Sequence, residues 1–189
     1  MDEVKPISAP QPSIPAEGSH LVNPKSAVEP HIILPFQISA AEFGVRETSV
    51  QITLSSDPTI STYTALYRHA QLVECEAILF PNFTSSSNPT HCDIIWVPSN
   101  STASPKTILQ TYGGSRYTLG GPITSNQTIS VPLPLRSVNC MVKDSVLYTD
   151  TPRLLAFSPA PLKPSSVPSG TLLVRGRVKL SSPLPQPSG

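Results

Sequence analysis

The chain has 189 residues, of which 23 are proline and only 13% are charged, and its formal net charge is +1. This length suits one domain with a substantial core and is too short for two domains with tails. Soluble domains typically carry about twice this charged fraction, so the surface is better suited to burial against other subunits than to a free monomer. The balance of charge also argues against a strongly basic nucleic-acid-binding surface.

The first 30 residues are rich in proline and poor in apolar side chains. Repeated proline interrupts helix and sheet, and little apolar surface is available for burial. We therefore expect residues 1–30 to form a flexible arm. No apolar run typical of a signal peptide is present, and no run reaches the ~20 residues of a membrane-spanning helix, so no membrane partner is expected.

The next part of the chain contains short apolar segments separated by proline, glycine and serine, which is typical of a sandwich or barrel of β-strands. A first strand is predicted over His31–Ile38, and Pro35 places it at a sheet edge or outside the main sheets. The further predicted strands are, in chain order, Glu47–Leu54, Gln71–Phe80, Cys92–Val97, Arg116–Leu119, Thr128–Leu133, Val146–Tyr148, Leu154–Phe157 and Gly170–Ser181.

Short helical segments are predicted between some of these strands. Asp57-Pro58 turns the chain into a helical or irregular piece that ends near Tyr67. Ser104 is a good N-cap and proline is favoured at the first helical position, which predicts a helix from Pro105 to about Gln110. A helical turn or two is predicted over Ser137–Val142. Trp96, the only tryptophan, is expected to anchor the core.

The stretch from Lys143 to Phe157 contains two apolar runs on either side of Thr149-Asp150-Thr151-Pro152. Aspartate and proline favour a tight turn at this position, so the pattern predicts a strand, a turn and a second strand. Counted from Glu47, the chain then has eight strands with two short helical inserts. The sequence thus predicts an all-β fold, an eight-stranded antiparallel jelly-roll sandwich over residues 31–182, followed by a tail at 183–189.

Three cations alternate along the last predicted strand, at Arg175, Arg177 and Lys179. Period-two alternation places all three on one side of the sheet. This side is either a solvated face, a face paired with acidic neighbours such as Glu74 and Glu76, or a surface that contacts RNA phosphate. The same alternation in Gln71–Phe80 places these two glutamates on one face of the strand. The opposite face is predicted to be apolar and to consist of Val73, Cys75, Ala77 and Leu79.

Several motifs together resemble the coat proteins of tymoviruses, which are small plant viruses with an RNA genome. The similarity runs in the same order from about Ile32 to Pro183, and it is greater to the belladonna mottle and physalis mottle members than to turnip yellow mosaic virus. The motifs are Tyr67-Arg68-His69-Ala70, Trp96-Val97-Pro98-Ser99-Asn100-Ser101, Thr111-Tyr112-Gly113-Gly114 with Leu119-Gly120-Gly121, and Val142-Lys143-Asp144-Ser145 with Tyr148-Thr149-Asp150-Thr151-Pro152-Arg153-Leu154-Leu155.

This resemblance implies a capsid protein that self-assembles into a T=3 icosahedral shell around single-stranded positive-sense RNA, in three quasi-equivalent conformers. It implies a place in the virion and assembly in the cytoplasm of the host plant cell. It also implies that protein–protein contacts hold the shell together and that polyamines, rather than a basic arm, offset most of the RNA charge. An arm whose only cations are Lys5 and Lys25 agrees with that implication.

His69 belongs to one of these motifs and is a further candidate for RNA contact, beside Arg175, Arg177 and Lys179. It is either a hydrogen-bonded structural histidine or a luminal group that gains charge at mildly acidic pH and then attracts phosphate. Turnip yellow mosaic virus has a histidine near the end of the last strand, where this chain has Ser181. This difference weakens a histidine-based RNA contact at that position.

The sequence predicts neither a catalytic nor a metal site. No nucleophile-elbow motif Gly-x-Ser-x-Gly accompanies the serines and histidines, and neighbouring residues of His91-Cys92-Asp93 would point to opposite faces of a strand. The three cysteines lack CxxC spacing, which favours free thiols. The competing hypotheses are a non-viral β-sandwich module that binds protein or carbohydrate, and a β-rich hydrolase. The low charge and the proline-rich arm favour a structural capsid subunit.

Overall fold

The computed structural model describes residues 30–121, 127–136, 138–143 and 150–185. The predicted arm, up to residue 29, and the end of the predicted tail, 186–189, lie outside these ranges. Within these ranges the strands are accompanied by one α-helix, α1 at Pro58–Ala65, and by three 3-10 helices, at Leu54–Ser56, Phe83–Ser86 and Pro105–Gln110. The strands are β1 His31–Phe43, β2 Thr48–Thr53, β3 Tyr67–Pro81, β4 Thr90–Pro98, β5 Ser115–Leu119, β6 Ile129–Pro132, β7 Pro152–Ser158 and β8 Gly170–Pro183.

These eight strands form two four-stranded antiparallel sheets. Sheet A has the order β1-β8-β3-β6 and sheet B has the order β2-β7-β4-β5. The chain crosses between the sheets after β1, β2, β3, β5, β6 and β7, while β4 and β5 are neighbours in sheet B. This arrangement is an eight-stranded jelly roll, which confirms the predicted fold class.

The inner faces of the two sheets enclose the main core. Fully buried side chains from both sheets meet there, and burial of this apolar surface is the principal stabilising contribution. Trp96 of β4 lies partly buried at the margin of this core, and its Nε1 donates a hydrogen bond to the carbonyl of Val131 in β6 at 3.1 Å. Trp96 therefore anchors one edge of the core and links the two sheets there. The largest fully buried core side chains include Phe43, Leu54, Ile60, Leu79, Ile94, Leu119, Leu154, Leu172 and Leu180.

β1 is longer than predicted and is one of the eight strands of the jelly roll. It lies at the edge of sheet A, where Pro35 removes no hydrogen bond that a central strand would need; this confirms the edge position. The predicted strand Val146–Tyr148 lies outside the described residues, and β7 is hydrogen-bonded to β2 on one side and to β4 on the other. The eight strands predicted from the sequence included Val146–Tyr148 and left out the first strand, whereas the eight described strands include β1.

Two sequence predictions fail along β3. The predicted apolar face is wrong at Val73, which is 40% exposed, because a β-bulge between Leu72 and Glu74 shifts the register. The predicted helical turn at 137–142 is wrong for residues 138–142, because Leu72 N donates to the carbonyl of Cys140 at 2.7 Å. β6 covers only Glu76–Leu79, so this extended segment supplies partners for the N-terminal half of β3, whose backbone would otherwise lack them.

The predicted helical inserts are confirmed at both remaining positions. Asp57 caps α1, since its Oδ1 accepts a hydrogen bond from Thr59 N at 2.9 Å, and Pro58 occupies the first helical position. The 3-10 helix at Pro105–Gln110 covers the outer face of sheet B, where Ile108 joins a second buried cluster. Among the described residues no helix has the length and apolar composition that would span a membrane.

Candidate nucleic-acid interface

The three cations of β8 lie on the outer face of sheet A. Their neighbours Val174, Val178 and Leu180 are buried in the core. Arg175 and Arg177 are exposed, and Lys179 is partly exposed. Since β8 lies between β1 and β3, the cations run along the middle of the sheet. We call this row of three residues the basic stripe; the predicted common face is confirmed.

Each arginine of the basic stripe forms an ion pair with a glutamate of β3. The Nε of Arg175 lies 2.7 Å from Glu76 Oε1, and the Nε of Arg177 lies 3.1 Å from Glu74 Oε2. Ser130 of β6 donates a hydrogen bond to the other carboxylate oxygen of Glu76. This hydrogen bond, together with the one from Arg175, lowers the pKa of Glu76. The two carboxylates therefore offset two of the three positive charges.

The bulge at Val73 and the glycine at Gly176 produce this pairing. The bulge brings Glu74 opposite Arg177 in the register between β3 and β8. A Cβ atom on Gly176 would lie 2.3 Å from the carbonyl oxygen of Glu74 and 2.9 Å from the ring of Phe36. Only glycine leaves room for both the bulged backbone and this ring, so the position depends on a close approach.

The end of the stripe near the start of β1 is free of acidic neighbours in the described sheet. Lys179 lies in register between Ile33 of β1 and Gln71 of β3, and no carboxylate among the described residues forms an ion pair with it. In the next row, His31 and His69 flank Ser181 from the two sides. His69 is exposed, so this corner combines a lysine with two histidines.

The family-like motif at residues 150–153 has a structural role. It lies at the start of β7 and ties together three loops that meet at this end of the sandwich. Arg153 donates a hydrogen bond here, Asp150 accepts one, and Thr151 shares one with another hydroxyl, so these side chains hold the backbone together rather than form a binding site. The bonds are Asn139 Nδ2 to Asp150 Oδ1 at 2.8 Å, Ser55 Oγ with Thr151 Oγ1 at 3.2 Å, and Arg153 Nη2 to the carbonyl of Ser101 at 2.6 Å.

Within the described part of the chain, three large apolar side chains are almost completely exposed, namely Phe83 (97%), Tyr112 (104%) and Leu162 (104%). They lie in separate connections between strands: Phe83 begins the 3-10 helix after β3, Tyr112 precedes β5 and Leu162 follows β7. Single exposed apolar side chains are common on protein surfaces. In a chain with only 13% charged residues, these three are nevertheless the side chains best suited to contact another protein chain, since aromatic residues are enriched at the cores of interfaces. In the sequence, Tyr112 belongs to a family-like motif, but the exposure of these three anchors leaves no periodic pattern, because the connections between strands have none.

No group of three metal-ligating side chains occurs in the described part of the chain. Cys92 is buried in the core, whereas Asp93 faces the opposite side and accepts hydrogen bonds from Arg116 Nε at 2.7 Å and Nη2 at 2.9 Å. This pairing raises the pKa of Arg116. Burial raises the pKa of the Cys75 thiol to about 12, with a further contribution from Glu76, and it raises that of Cys92 as well. All three cysteines are free thiols.

The sequence matches the family model described as tymovirus coat protein over residues 12–188. The chain is 63% identical to the capsid protein of Ononis yellow mosaic virus over 187 residues, which cover 99% of this chain and 97% of that one. It is 50% identical to the capsid protein of Physalis mottle virus, with 97% of this chain and 98% of the other covered. These identities confirm the resemblance seen in the motifs.

The fold agrees with a solved structure from the same group. Desmodium yellow mottle tymovirus superimposes with a TM-score of 0.81 at 34% identity, covering 100% of this chain and 99% of that chain. These relatives have a structural role in the virion, which excludes the hydrolase hypothesis and does not favour a non-viral binding module. The chain belongs to the tymovirus coat protein family, and it is a structural capsid protein rather than an enzyme.

Proposed function

We propose that this coat protein assembles into a T=3 icosahedral shell, in three quasi-equivalent conformers, around a single-stranded positive-sense RNA genome in the cytoplasm of a plant cell. The observation that carries the proposal is the charge-poor jelly roll with the exposed anchors Phe83, Tyr112 and Leu162. Anchors at the centre of a subunit interface contribute much of its affinity. The same surface in a free monomer would favour nonspecific association.

Contacts between subunits, rather than between protein and RNA, hold this shell together. The formal net charge is +1, and Glu74 and Glu76 already offset two cations of the basic stripe. The charge that remains is far too small to neutralise a genome, and polyamines inside the particle take this role as counterions. The chain itself requires no cofactor.

RNA phosphate contacts the outer face of sheet A through the basic stripe and His69. Lys179 and His69 dominate, since neither has a carboxylate partner within the described residues. Arg175 and Arg177 each pair through Nε and Nη2, and an arginine has five N–H donors in total. Each arginine can therefore donate hydrogen bonds to a phosphate from its remaining N–H groups while it stays bound to its glutamate.

Assembly is tested by expressing the full chain without a viral genome and measuring particle size. We expect closed shells of several megadaltons, visible by electron microscopy, because subunit contacts dominate. A triple substitution of Phe83, Tyr112 and Leu162 to serine should abolish shells and leave a folded subunit by circular dichroism. Wild-type protein that stays monomeric at high concentration, with and without RNA, contradicts the proposal.

RNA contact is tested by the ratio of full to empty particles on a density gradient. Replacing Arg175, Arg177 and Lys179 by glutamine should lower RNA content more than shell yield, and K179Q alone should account for most of this loss. Phosphate contacts act through counterion release, so the variants should also release RNA at lower salt. The control is K106Q, which removes a cation on sheet B's side that pairs with Glu47. Normal packaging by the triple variant would assign the stripe to structure.

The contribution of His69 is tested separately by H69N. If His69 contacts phosphate after gaining a proton, wild-type particles should retain RNA against salt better at pH 5 than at pH 8, and H69N should lose most of this difference. The matched control is H91N, on β4 of sheet B. A pH dependence that H69N keeps in full shows that another group is responsible.

A further inference from the structure

An uncharged groove opens where β5 ends sheet B and β6 ends sheet A. Its volume is about 490 Å³, and all of the residues that line it are uncharged. Three aromatic residues and two prolines are among the residues that line it, namely Trp96, Tyr112, Tyr117, Pro132 and Pro134. We call it the aromatic groove. It is separate from the basic stripe, which lies on the middle strand β8.

The indole of Trp96 and the backbone of the loop that carries Tyr112 are held in place before any partner binds. The indole of Trp96 is fixed by its hydrogen bond to Val131 at 3.1 Å. The loop that carries Tyr112 is closed by a hydrogen bond from Gly114 N to the carbonyl of Thr111 at 3.0 Å. A Cβ atom on Gly114 would lie 2.0 Å from the carbonyl oxygen of Ile108, so this loop packs tightly on the 3-10 helix. A preorganised site of this kind loses little entropy on binding.

The groove offers flat rings and unused hydroxyl donors. Tyr112 is fully exposed and Tyr117 is partly buried, and neither hydroxyl bonds to another described side chain or backbone group. Aromatic-lined grooves with such donors bind proline-rich segments in the polyproline II conformation, whose carbonyls lack internal hydrogen bonds. The absence of charge on the groove's lining matches an uncharged ligand of this class.

This protein contains a segment with that chemistry. Residues 6–15 read Pro-Ile-Ser-Ala-Pro-Gln-Pro-Ser-Ile-Pro and carry no charge. They end in Pro12-Ser13-Ile14-Pro15, which has the P-x-x-P spacing of polyproline II ligands. We propose that residues 6–15 of a neighbouring subunit's arm dock in the aromatic groove. The inference rests on the assembly proposed above, which brings neighbouring copies together.

The length of the arm permits this exchange. Fourteen residues lie between Pro15 and Pro30, where the described structure begins. In an extended polyproline conformation they span roughly 45 Å, which is enough to cross from one subunit to the next. The arm precedes β1, at the edge of sheet A opposite β6. Arms that leave at one edge and grooves that open at the other can link copies placed side by side.

Trp96 reports on the groove directly, because it is the only tryptophan. In assembled full-length shells, P12A/P15A should shift the Trp96 emission to longer wavelength and increase its quenching by acrylamide. The matched control P24A alters a proline of the arm outside the docking segment and should leave both unchanged. Particle sizing on the same samples separates the two proposals. If shells form and P12A/P15A leaves the Trp96 emission and quenching unchanged, the arm proposal is overturned and the assembly proposal stands. If the wild-type chain forms no shells, both proposals are overturned.

A disulfide test identifies which copy supplies the arm. The pair S13C with Y112C, under mild oxidation, should link subunits covalently and give dimers and higher species on a non-reducing gel. The control pair S13C with V167C uses an exposed residue on another loop, outside the groove and the three anchors, and should give none. A cross-link confined to single chains overturns the exchange between subunits, and cross-linking to position 167 as strong as to position 112 overturns the groove as the docking site.

Discussion

The outer faces of the two sheets differ in what covers them. On sheet B, Ile95, Val97 and Leu155 point outward and are buried with Ile108 of the 3-10 helix at Pro105–Gln110. On sheet A, the outward residues of the central strands include the arginines of the basic stripe, whose side chains are 55% and 51% exposed beside their glutamate partners. The chain therefore covers the middle of one outer face itself and leaves the basic stripe on the other open to solvent or to another molecule.

The ion pairs on the two faces differ in the same way. The side chain of Asp93 on sheet B is only 6% exposed beside Arg116, whereas that of Glu74 on sheet A is 53% exposed beside Arg177. A buried carboxylate depends on its partner, because the unpaired charge would be costly. An exposed pair contributes little and is screened by salt. The pairs of sheet A can thus exchange partners with an incoming ligand, and the pair of sheet B cannot.

The largest effect should come from the covered face. We expect L155A to lower the free energy of unfolding by about 2–5 kcal/mol, because it leaves a cavity beneath the 3-10 helix. The matched change on the open face is I33A, at a side chain that is 42% exposed, and its effect should be much smaller. Denaturant unfolding followed by Trp96 fluorescence measures both. Equal losses would show that sheet A's outer face is also covered in the free subunit.

The second effect concerns the two arginines. R116Q should lower the denaturant midpoint clearly, because it leaves the buried Asp93 without its partner. R177Q should change the free energy of unfolding by no more than about 1 kcal/mol, since both partners are exposed. High salt should reduce the effect of R177Q further and leave that of R116Q nearly unchanged. If the two variants respond alike to salt, burial does not separate the pairs.

Much of this fold follows from the alternation of side chains along the chain. The period-two alternation predicted the inner and outer faces of β8. Pro35 predicted that the first strand lies at a sheet edge or outside the main sheets, and β1 lies at an edge. The bulge at Val73 was not predictable, because it depends on Gly176 and Phe36 from two other strands. The segment 138–142 is extended because β3 needs backbone partners there, and local propensity contains no information about this demand.

The candidate site was predictable in part for the same reason. Alternation placed the basic stripe on one face and named Glu74 and Glu76 as possible partners, but the choice between partner and solvent depends on register between distant strands. The aromatic groove was not found, because it is built by residues of β4, β5 and β6 and of the loops beside them. Trp96 was recognised as an anchor, and its second contact, with Val131, emerges only from the packing of the two sheets.

The smallest effect should be a change in how stability depends on pH, centred on Glu76. Its pKa is lowered in the folded chain by hydrogen bonds from Ser130 and Arg175, so the folded state favours the charged carboxylate. A lowered folded pKa stabilises the fold above the unfolded pKa and loses this contribution as the pH falls through the folded value. The difference in denaturant midpoint between wild type and E76Q should therefore be constant near neutral pH. This difference in midpoint should shrink once the pH falls below 4.5, the ordinary pKa of a glutamate side chain.

The source of this lowered pKa can be separated into its two donors. S130A removes the hydrogen bond that contributes most to the lowered pKa of Glu76. The loss of stability that accompanies protonation of Glu76 should therefore be complete at a higher pH in S130A than in the wild type. R175Q should move it in the same direction by a smaller amount, because Arg175 is the second contributor. S39A is the control, a serine on β1 without a described bond to Glu76. If the advantage of wild type over E76Q persists in full at pH 3, the carboxylate acts through packing alone. The ion pairs of the open face would then be as fixed as the pair of Asp93 and Arg116, and the contrast between the two sheets would fail.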